Sequence, residues 1–273
     1  YSILGYVPRN VKLYEMAMTH SSTSGAAKLS CNERLEFLGD SVLGLIVSKY
    51  IFENYPDYRF NFEGAYRYEL FEEYYPEEFK KLKEYVKDGK WNVTGSAYEN
   101  GDVNVPSPES LFRNVLYGNR YFEKTFGKKS NDIFLPDCFG FGWALPSIIN
   151  HAGIKGFSTQ KLTWGGAYGR PFDIGLWYGV DGNPCFASID AKSYCTTFKT
   201  VRGKKEITDK LKNNIDKYNL PWTFAYHGVG DVGGAPKEES VKTVCKELAA
   251  NDKEDIKVLS STPTEFFEDM AKL

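Results

Sequence analysis

Residues 131–160 constrain the fold more than any other stretch: Asn-Asp-Ile-Phe-Leu-Pro-Asp-Cys-Phe-Gly-Phe-Gly-Trp-Ala-Leu-Pro-Ser-Ile-Ile-Asn-His-Ala-Gly-Ile-Lys-Gly-Phe-Ser-Thr-Gln. Ile133, Phe134 and Leu135 form a short apolar run stopped by Pro136, the pattern of a buried strand. Leu145, Ile148 and Ile149 share one helical face, and Gly153 stands where a helix would stop. Phe157 to Gln160 reads as the next strand. The spacing predicts a β-loop-α-β unit with Asp137 in the loop at the carboxyl end of its first strand. Parallel α/β folds bind their ligands at that end. Gly140 and Gly142 permit close approach of backbone and ligand. On residues alone, Asp137 is either a site carboxylate or the cap of a turn or helix.

The run Leu135-Pro-Asp-Cys-Phe-Gly-Phe-Gly-Trp-Ala-Leu-Pro resembles the nucleophile motif of the glycoside hydrolase family 38 α-mannosidases. Further motifs follow in that family's order from about Pro56 to Leu273. The resemblance implies a parallel (β/α) barrel-like catalytic domain of the α/β class, incomplete in this chain. It implies zinc-assisted, retaining hydrolysis of α-mannosidic bonds in a mannose-containing oligosaccharide. It also implies that Asp137 is at once the nucleophile and a zinc ligand.

Residues 1–55 differ from the rest, and all five Trp lie after them. They predict an all-α segment of two helices, from Val11 to about His20 and from about Asn32 to Asn54, the second closed by Pro56. On the second, Glu33, Glu36 and Asp40 stand at i, i+3 and i+7 and so share one face. Such a face is either a solvated acidic surface or a seat for a hard cation such as magnesium. The run Asn32-Glu-Arg-Leu-Glu-Phe-Leu-Gly-Asp-Ser resembles the signature of ribonuclease III, and Ala17-Met-Thr-His-Ser-Ser resembles a motif preceding it. That likeness implies magnesium at Glu36 and Asp40. The later acidic helix that completes the family's metal site has no counterpart after Tyr55, so duplex RNA is not the expected partner. His20 reads as a buried, hydrogen-bonded residue. The change of family at Asn54-Tyr-Pro-Asp-Tyr comes without a Gly/Ser linker. Residues 1–55 and 56–273 are therefore expected to be a junction of two truncated genes.

The second part alternates strand and helix signals. Tyr58, Phe60 and Phe62 alternate as a strand, Pro76 to Lys87 is a helix with Phe79, Leu82 and Val86 inward, and Trp91 to Gly95 is a strand. Ser107 and Pro108 open the next helix, with Glu109 and Arg113 spaced as an ion pair. The loop between carries Glu99, Asp102 and Asn104, which the mannosidase resemblance points at sugar hydroxyls. Trp164 stands in a glycine-rich loop fit to wall a pocket. Strands are expected over Leu176–Val180, Phe186–Asp190, Trp222–Tyr226 and Ile256–Leu259, and helices over Glu206–Tyr218, Glu239–Ala250 and after Thr262. Asp190, near a strand's carboxyl end, is an expected acid/base carboxylate, with a surface role as the alternative. Asp231, in Gly-Asp-Val-Gly-Gly, is an expected sugar contact. His227 has zinc-ligand chemistry but does not match the family's ligand histidine, and His151 reads as a packed or surface residue.

Composition narrows the partners. A net charge of −2 supplies no basic field for nucleic acid or anionic membrane. Aromatics reach 16%, which suits sugar faces, although a ring's ordinary home is a core. Five scattered Cys read as reduced thiols, which favours a cytoplasmic setting, and no apolar stretch approaches the ~18 residues of a membrane span. The chain starts at Tyr1 and is read as a fragment, with the family's upstream His-x-Asp motif replaced and its later histidine motif expected beyond Leu273. One recognisable ligand holds zinc poorly. Weak or absent turnover is thus expected. Two other readings stand beside the α-mannosidase: a ribonuclease III-type fragment and a non-catalytic carbohydrate-binding remnant.

Overall fold

The computed structural model of the chain describes residues 7, 9–19, 32, 35, 39, 46–47, 49–164, 169–191, 193–230 and 235–273. Helix α1 (Val11–Ala17) forms inside its predicted limits and buries none of its side chains. Residues 49–54 are helical, the end of the second predicted helix. Their Ile51 and Phe52 are almost wholly buried. Phe52 sets its ring against Tyr85 and Trp91, with centroids 4.9 and 6.4 Å apart. The Tyr50 and Tyr55 hydroxyls both donate to Glu238 Oε1, at 2.8 and 2.7 Å. Packing therefore runs straight across the break in the sequence near residue 55.

Next come β1 (Phe60–Glu63), α2 (Ala65–Tyr74), α3 (Pro76–Lys87) and β2 (Trp91–Thr94). The two strands pair in parallel, from Phe60 opposite Trp91 to Glu63 opposite Thr94. Helix α3 has Pro76 in its first turn with Glu77 and Glu78, and Lys87 in its last, each where the helix dipole favours it. It buries Phe79, Leu82 and Val86. The core here is aromatic and centred on Trp91, whose ring meets Phe60, Phe62 and Tyr68. Trp91 Nε1 donates to Tyr68 Oη at 2.7 Å, and Tyr68 donates onward to Phe62 O at 2.8 Å. The polar tips of the buried rings are thus satisfied. Helix α4 (Pro108–Phe126) follows, with Ser107 Oγ accepting from Ser110 N at 3.2 Å.

The second sheet holds β3 (Asp132–Phe134), β4 (Gly156–Ser158), β5 (Ile174–Tyr178) and β6 (Pro184–Ser188), in the order β3-β4-β6-β5. Helix α5 (Ala144–His151) joins the first two, which is the expected β-loop-α-β unit. Ile133, Phe157 and Ala187 point to one face and pack with Leu145 and Ile149 of α5. Helices α6 (Lys205–Tyr218), α7 (Glu238–Ala249) and α8 (Pro263–Met270) complete the chain. Thr262 and Glu265 form a capping box at the start of α8. Asp132 ties the two sheets together: its buried carboxylate accepts from Thr94 Oγ1 at 2.8 Å, Gly95 N at 3.2 Å and Ser130 Oγ at 2.6 Å.

The α/β class holds, but the described strands make two sheets and not a closed barrel. The β3-β4-β6 pairings are parallel, while β5 runs antiparallel to β6 as the outer arm of a hairpin. Two expected strands lack a ladder. Residues 222–226 contain a single bridged position, Ala225. There the alternating rings pack instead: Phe224 stacks on Phe266 at 4.6 Å, and Tyr226 meets Phe134 at 4.9 Å. Residues 256–259 are unpaired loop. Just after them, Ser260 Oγ accepts from Arg59 N at 2.9 Å and Ser261 O from Asn61 Nδ2 at 3.2 Å, so this segment flanks the outer edge of β1. Cys138, Cys185, Cys195 and Cys245 are free thiols. No helix among the described residues is long and apolar enough to cross a membrane.

Candidate functional site

Asp137 lies in the turn just past β3, at the carboxyl end of the parallel strands. Its side chain is 57% exposed and pairs with Lys161 Nζ at 2.5 Å. Lys161 comes from the equivalent position after β4, the neighbouring strand. The two loops are also tied by polar contacts: Thr159 Oγ1 donates to Leu135 O at 2.8 Å, and Gln160 Nε2 to Pro136 O at 3.0 Å. Lys161 Nζ further faces the rings of Phe139 at 4.9 Å and Tyr194 at 6.0 Å. Tyr194 belongs to the loop beyond β6, and its ring sits so close to Gly230 that any Cβ there would overlap it. One ammonium group therefore gathers loops from three strand ends, and through Tyr194 the segment that leads to Asp231.

The loop after β2 builds a second wall. Cys138 Sγ donates to Gly101 O at 3.0 Å. Asn104 lies against Gly140 and Gly142, and at Gly140 a Cβ would collide with its amide nitrogen. Asp102 Oδ1 accepts from Asn104 N at 2.7 Å and Val105 N at 3.2 Å, which fixes the turn locally. Asp102 and Asn104, both exposed, thus stand beside the Asp137 loop. Burial pushes the Cys138 thiol up to about 11, with the Asp102, Glu63 and Asp137 carboxylates adding to it. The same loop holds backbone strain: Gly95 and the non-glycine Ser96 adopt φ of 86° and 54°.

Other expected residues are occupied elsewhere. Glu99 pairs with Arg67 at 2.8 Å and accepts from Asn100 N at 2.8 Å, so it shapes its own loop. Asp190 is 5% exposed. Its carboxylate meets Arg170 Nη1 at 2.5 Å and Lys210 Nζ at 3.0 Å, and its carbonyl accepts from Lys210 at 2.6 Å. The two ion pairs tie this carboxylate to α6 and to the loop before β5. His227 is half-buried between Tyr58 Oη at 3.0 Å and Ser240 Oγ at 2.9 Å, and the loss of solvent lowers its pKa to about 4. His151 sets its ring against Phe112 at 5.2 Å. Glu109 and Arg113 form the expected ion pair at 2.7 Å. Asp231, Glu36, Asp40, Glu33 and His20, and the side chain of Trp164, lie outside the described residues.

Among the described residues, no three His, Cys, Asp or Glu side chains converge as a metal site. Among the described residues, the charged group against Asp137 is Lys161, which repels a cation. This donor set does not fit zinc. Sequence reading missed Lys161 and Tyr194. A lysine immediately after a predicted strand, next in line to the strand that leads to Asp137, was the available signal for the first. Nothing local marked the second.

Residues 47–273 match the family described as Glycosyl hydrolases family 38 N-terminal domain, and residues 10–79 match the one described as Ribonuclease-III-like. Alpha-mannosidase G of Dictyostelium discoideum is 36% identical over 218 residues, covering 79% of this chain and 19% of that protein. Ribonuclease 3 of Rhodopirellula baltica is 54% identical over 56 residues, covering 20% of this chain and 21% of that protein. The solved structure of an alpha-mannosidase from Enterococcus faecalis superposes with a TM-score of 0.60 at 20% identity, covering 88% of this chain and 26% of that one. The chain thus spans about a fifth of the length of the curated relatives it matches. The two family matches overlap over residues 47–79, where the helix end carrying Ile51 and Phe52 enters the aromatic core.

Proposed function

The chain belongs to glycosyl hydrolase family 38, and from that premise we propose that it carries the machinery for hydrolysing α-mannosidic bonds in oligosaccharides, with Asp137 as the nucleophile of a retaining reaction. The observation that supports this best is the exposed Asp137 carboxylate at the strand ends, beside Lys161 and the Asp102–Asn104 strip. In this reading Asp137 attacks the anomeric carbon as the bond to the leaving oxygen breaks. A second carboxylic acid protonates that oxygen, and water later releases the sugar from Asp137. Lys161 holds the attacking carboxylate in one orientation. Asp102 and Asn104 take sugar hydroxyls, and Trp164 and Asp231 complete the substrate contacts. Asp190 and Glu99 serve as scaffold through their ion pairs. No step is routed through zinc here, because the described donor set does not fit it, and slow turnover is the expected rate.

A fluorinated mannosyl fluoride that traps a glycosyl-enzyme, followed by peptide mass spectrometry, tests the proposal on the purified chain. The adduct is expected on the peptide bearing Asp137 and is expected to vanish in Asp137→Ala. An adduct on another carboxylate, or undiminished turnover of an aryl α-mannoside by Asp137→Ala, would sink it.

A further inference from the structure

At the carboxyl end of β1 stands Glu63, a titratable side chain that the mannosidase reading does not use. It lies opposite Thr94 in the parallel register. A Cβ added at Gly95 would come within 3.3 Å of Glu63 Cβ and 3.5 Å of its Oε2, so glycine leaves room for the carboxyl to turn in beneath the loop. Oε1 accepts from Asn100 Nδ2. Oε2 is shut off from solvent and has no hydrogen-bond partner. The groups around it are Arg67 from α2, Glu99 and Asn100 from the loop, Asp132 from β3, and Tyr68, Cys138 and Tyr226. The one cation among them is already paired with Glu99 at 2.8 Å. Burial pushes the Glu63 carboxyl up to about 8, with Arg67 and Asn100 opposing the rise and Glu99 and Asp132 adding to it. A buried oxygen lacking a donor suits the neutral carboxyl better than the ion.

Asn100 belongs to a clamped loop. Ala65 N and Tyr66 N at the start of α2 donate to Ala97 O and Tyr98 O at 3.2 and 2.9 Å. Asn114 grips Glu99 by both its N and its O, at 3.0 and 2.8 Å. Beyond Asn100 the chain passes directly into Gly101, which receives the Cys138 thiol, and then into Asp102 and Asn104. We propose that Glu63 is a positioning residue, whose carboxyl anchors Asn100 and so holds the Gly101–Asn104 strip against the loop of Asp137. The sugar contacts of that strip rest on the mannosidase reading. The anchoring does not.

The Cys138 thiol reports the anchoring directly, since it is covered only while the strip is down. Alkylation by iodoacetamide in the full chain, without sugar or metal, is followed peptide by peptide, with buried Cys185 as the internal reference. At pH 7, Glu63→Ala and Asn100→Ala are each expected to speed Cys138 modification about tenfold relative to Cys185, the signature of a local opening. Glu63→Gln keeps a neutral group with an acceptor oxygen and is expected to restore the wild-type rate. As pH rises through about 8, the wild type should lose protection relative to Glu63→Gln, the thiol's own ionisation cancelling in the ratio. If Glu63→Ala unfolds, Cys185 reacts in step with Cys138, and Asn100→Ala and the Gln ratio then decide. Wild-type rates in Asn100→Ala with a flat ratio across pH 8 would overturn the proposal. Failure of the mannosyl label with Cys138 protection intact would count against the mannosidase reading alone.

Discussion

The two sheets are packed in different ways, and the difference explains where the site is. Beneath β1 and β2 the core is crowded with rings: Phe52, Phe60, Tyr68, Phe79 and Phe122 join Trp91 in one cluster. Beneath β3, β4 and β6 it is mostly Ile, Leu, Val and Ala around Phe157. Phe141 and Trp177 flank Phe157 in that core, while Phe139 and Trp143 sit on the rim, 75% and 76% exposed. The high aromatic content therefore has two meanings. In the first region it is scaffold, and it secures the end of the N-terminal helix. In the second, aliphatic side chains fill most of the space between α5 and the strands, and Phe139 stands by Lys161, the partner of Asp137.

The largest effect should come from breaking the aromatic scaffold. Trp91→Ala removes the hub of the cluster and the donor to Tyr68, and should cost about 3–5 kcal/mol in a urea titration. Phe52→Ala should cost a comparable amount, about 3–5 kcal/mol, although it stands before the sequence break. A cost near zero for Phe52→Ala would mean that the N-terminal helix merely rests on the second part. In the second region, Ile149→Ala should cost less than Trp91→Ala, about 2–4 kcal/mol.

Next in size is the ion-pair clamp of the second region. Asp190→Asn leaves Lys210 mostly buried and uncompensated, while Arg170, 38% exposed, recovers through solvent. The expected loss is about 2–3 kcal/mol, below that of a fully buried pair. A smaller loss, with the mannosyl label abolished, would return Asp190 to the chemistry.

The comparison also shows what could be read from the chain. Helices α3, α4 and α8 were legible because their signals are local: Pro76, the Ser107-Pro108 cap and the Thr262–Glu265 box each lie within one turn. Asp137 was legible because a whole motif surrounds it. The alternation in Trp222–Tyr226 misled, since rings at every second position serve side-chain packing as readily as a ladder. Phe224 and Tyr226 took the former course. Lys161, Tyr194 and Glu63 acquire their meaning from strand order and from partners distant in sequence. The order β3-β4-β6-β5 is of the same kind, because strand order depends on pairing partners that no single stretch encodes.

A pH titration separates the regions again. His227 is half-buried in the aromatic half, and its pKa falls to about 4 because desolvation disfavours the cation. The unfolded chain takes up that proton near the ordinary His value, so stability is lost as pH falls from about 6.5 towards 4. Between pH 7 and pH 5 the loss should be about 2 kcal/mol, measured by urea midpoints. His227→Asn should flatten that acid limb. An unchanged limb would assign it to carboxylates of the rim.

The smallest effect on stability, and the sharpest on chemistry, is expected at Lys161. Its partner Asp137 is mostly exposed, so the ion pair should contribute less than about 1 kcal/mol to folding, and Lys161→Met should leave the urea midpoint nearly unchanged. The orientation of the carboxylate is another matter, because an attacking group held in line reacts far faster than one free to rotate. Trapping of the mannosyl label at Asp137 should therefore slow about tenfold in Lys161→Met, with the adduct still on the same peptide. Faster labelling would reverse the role and make Lys161 a plug over the nucleophile. A large loss of stability would make the pair part of the scaffold, and the distinction between packed base and working rim would then fail at its centre.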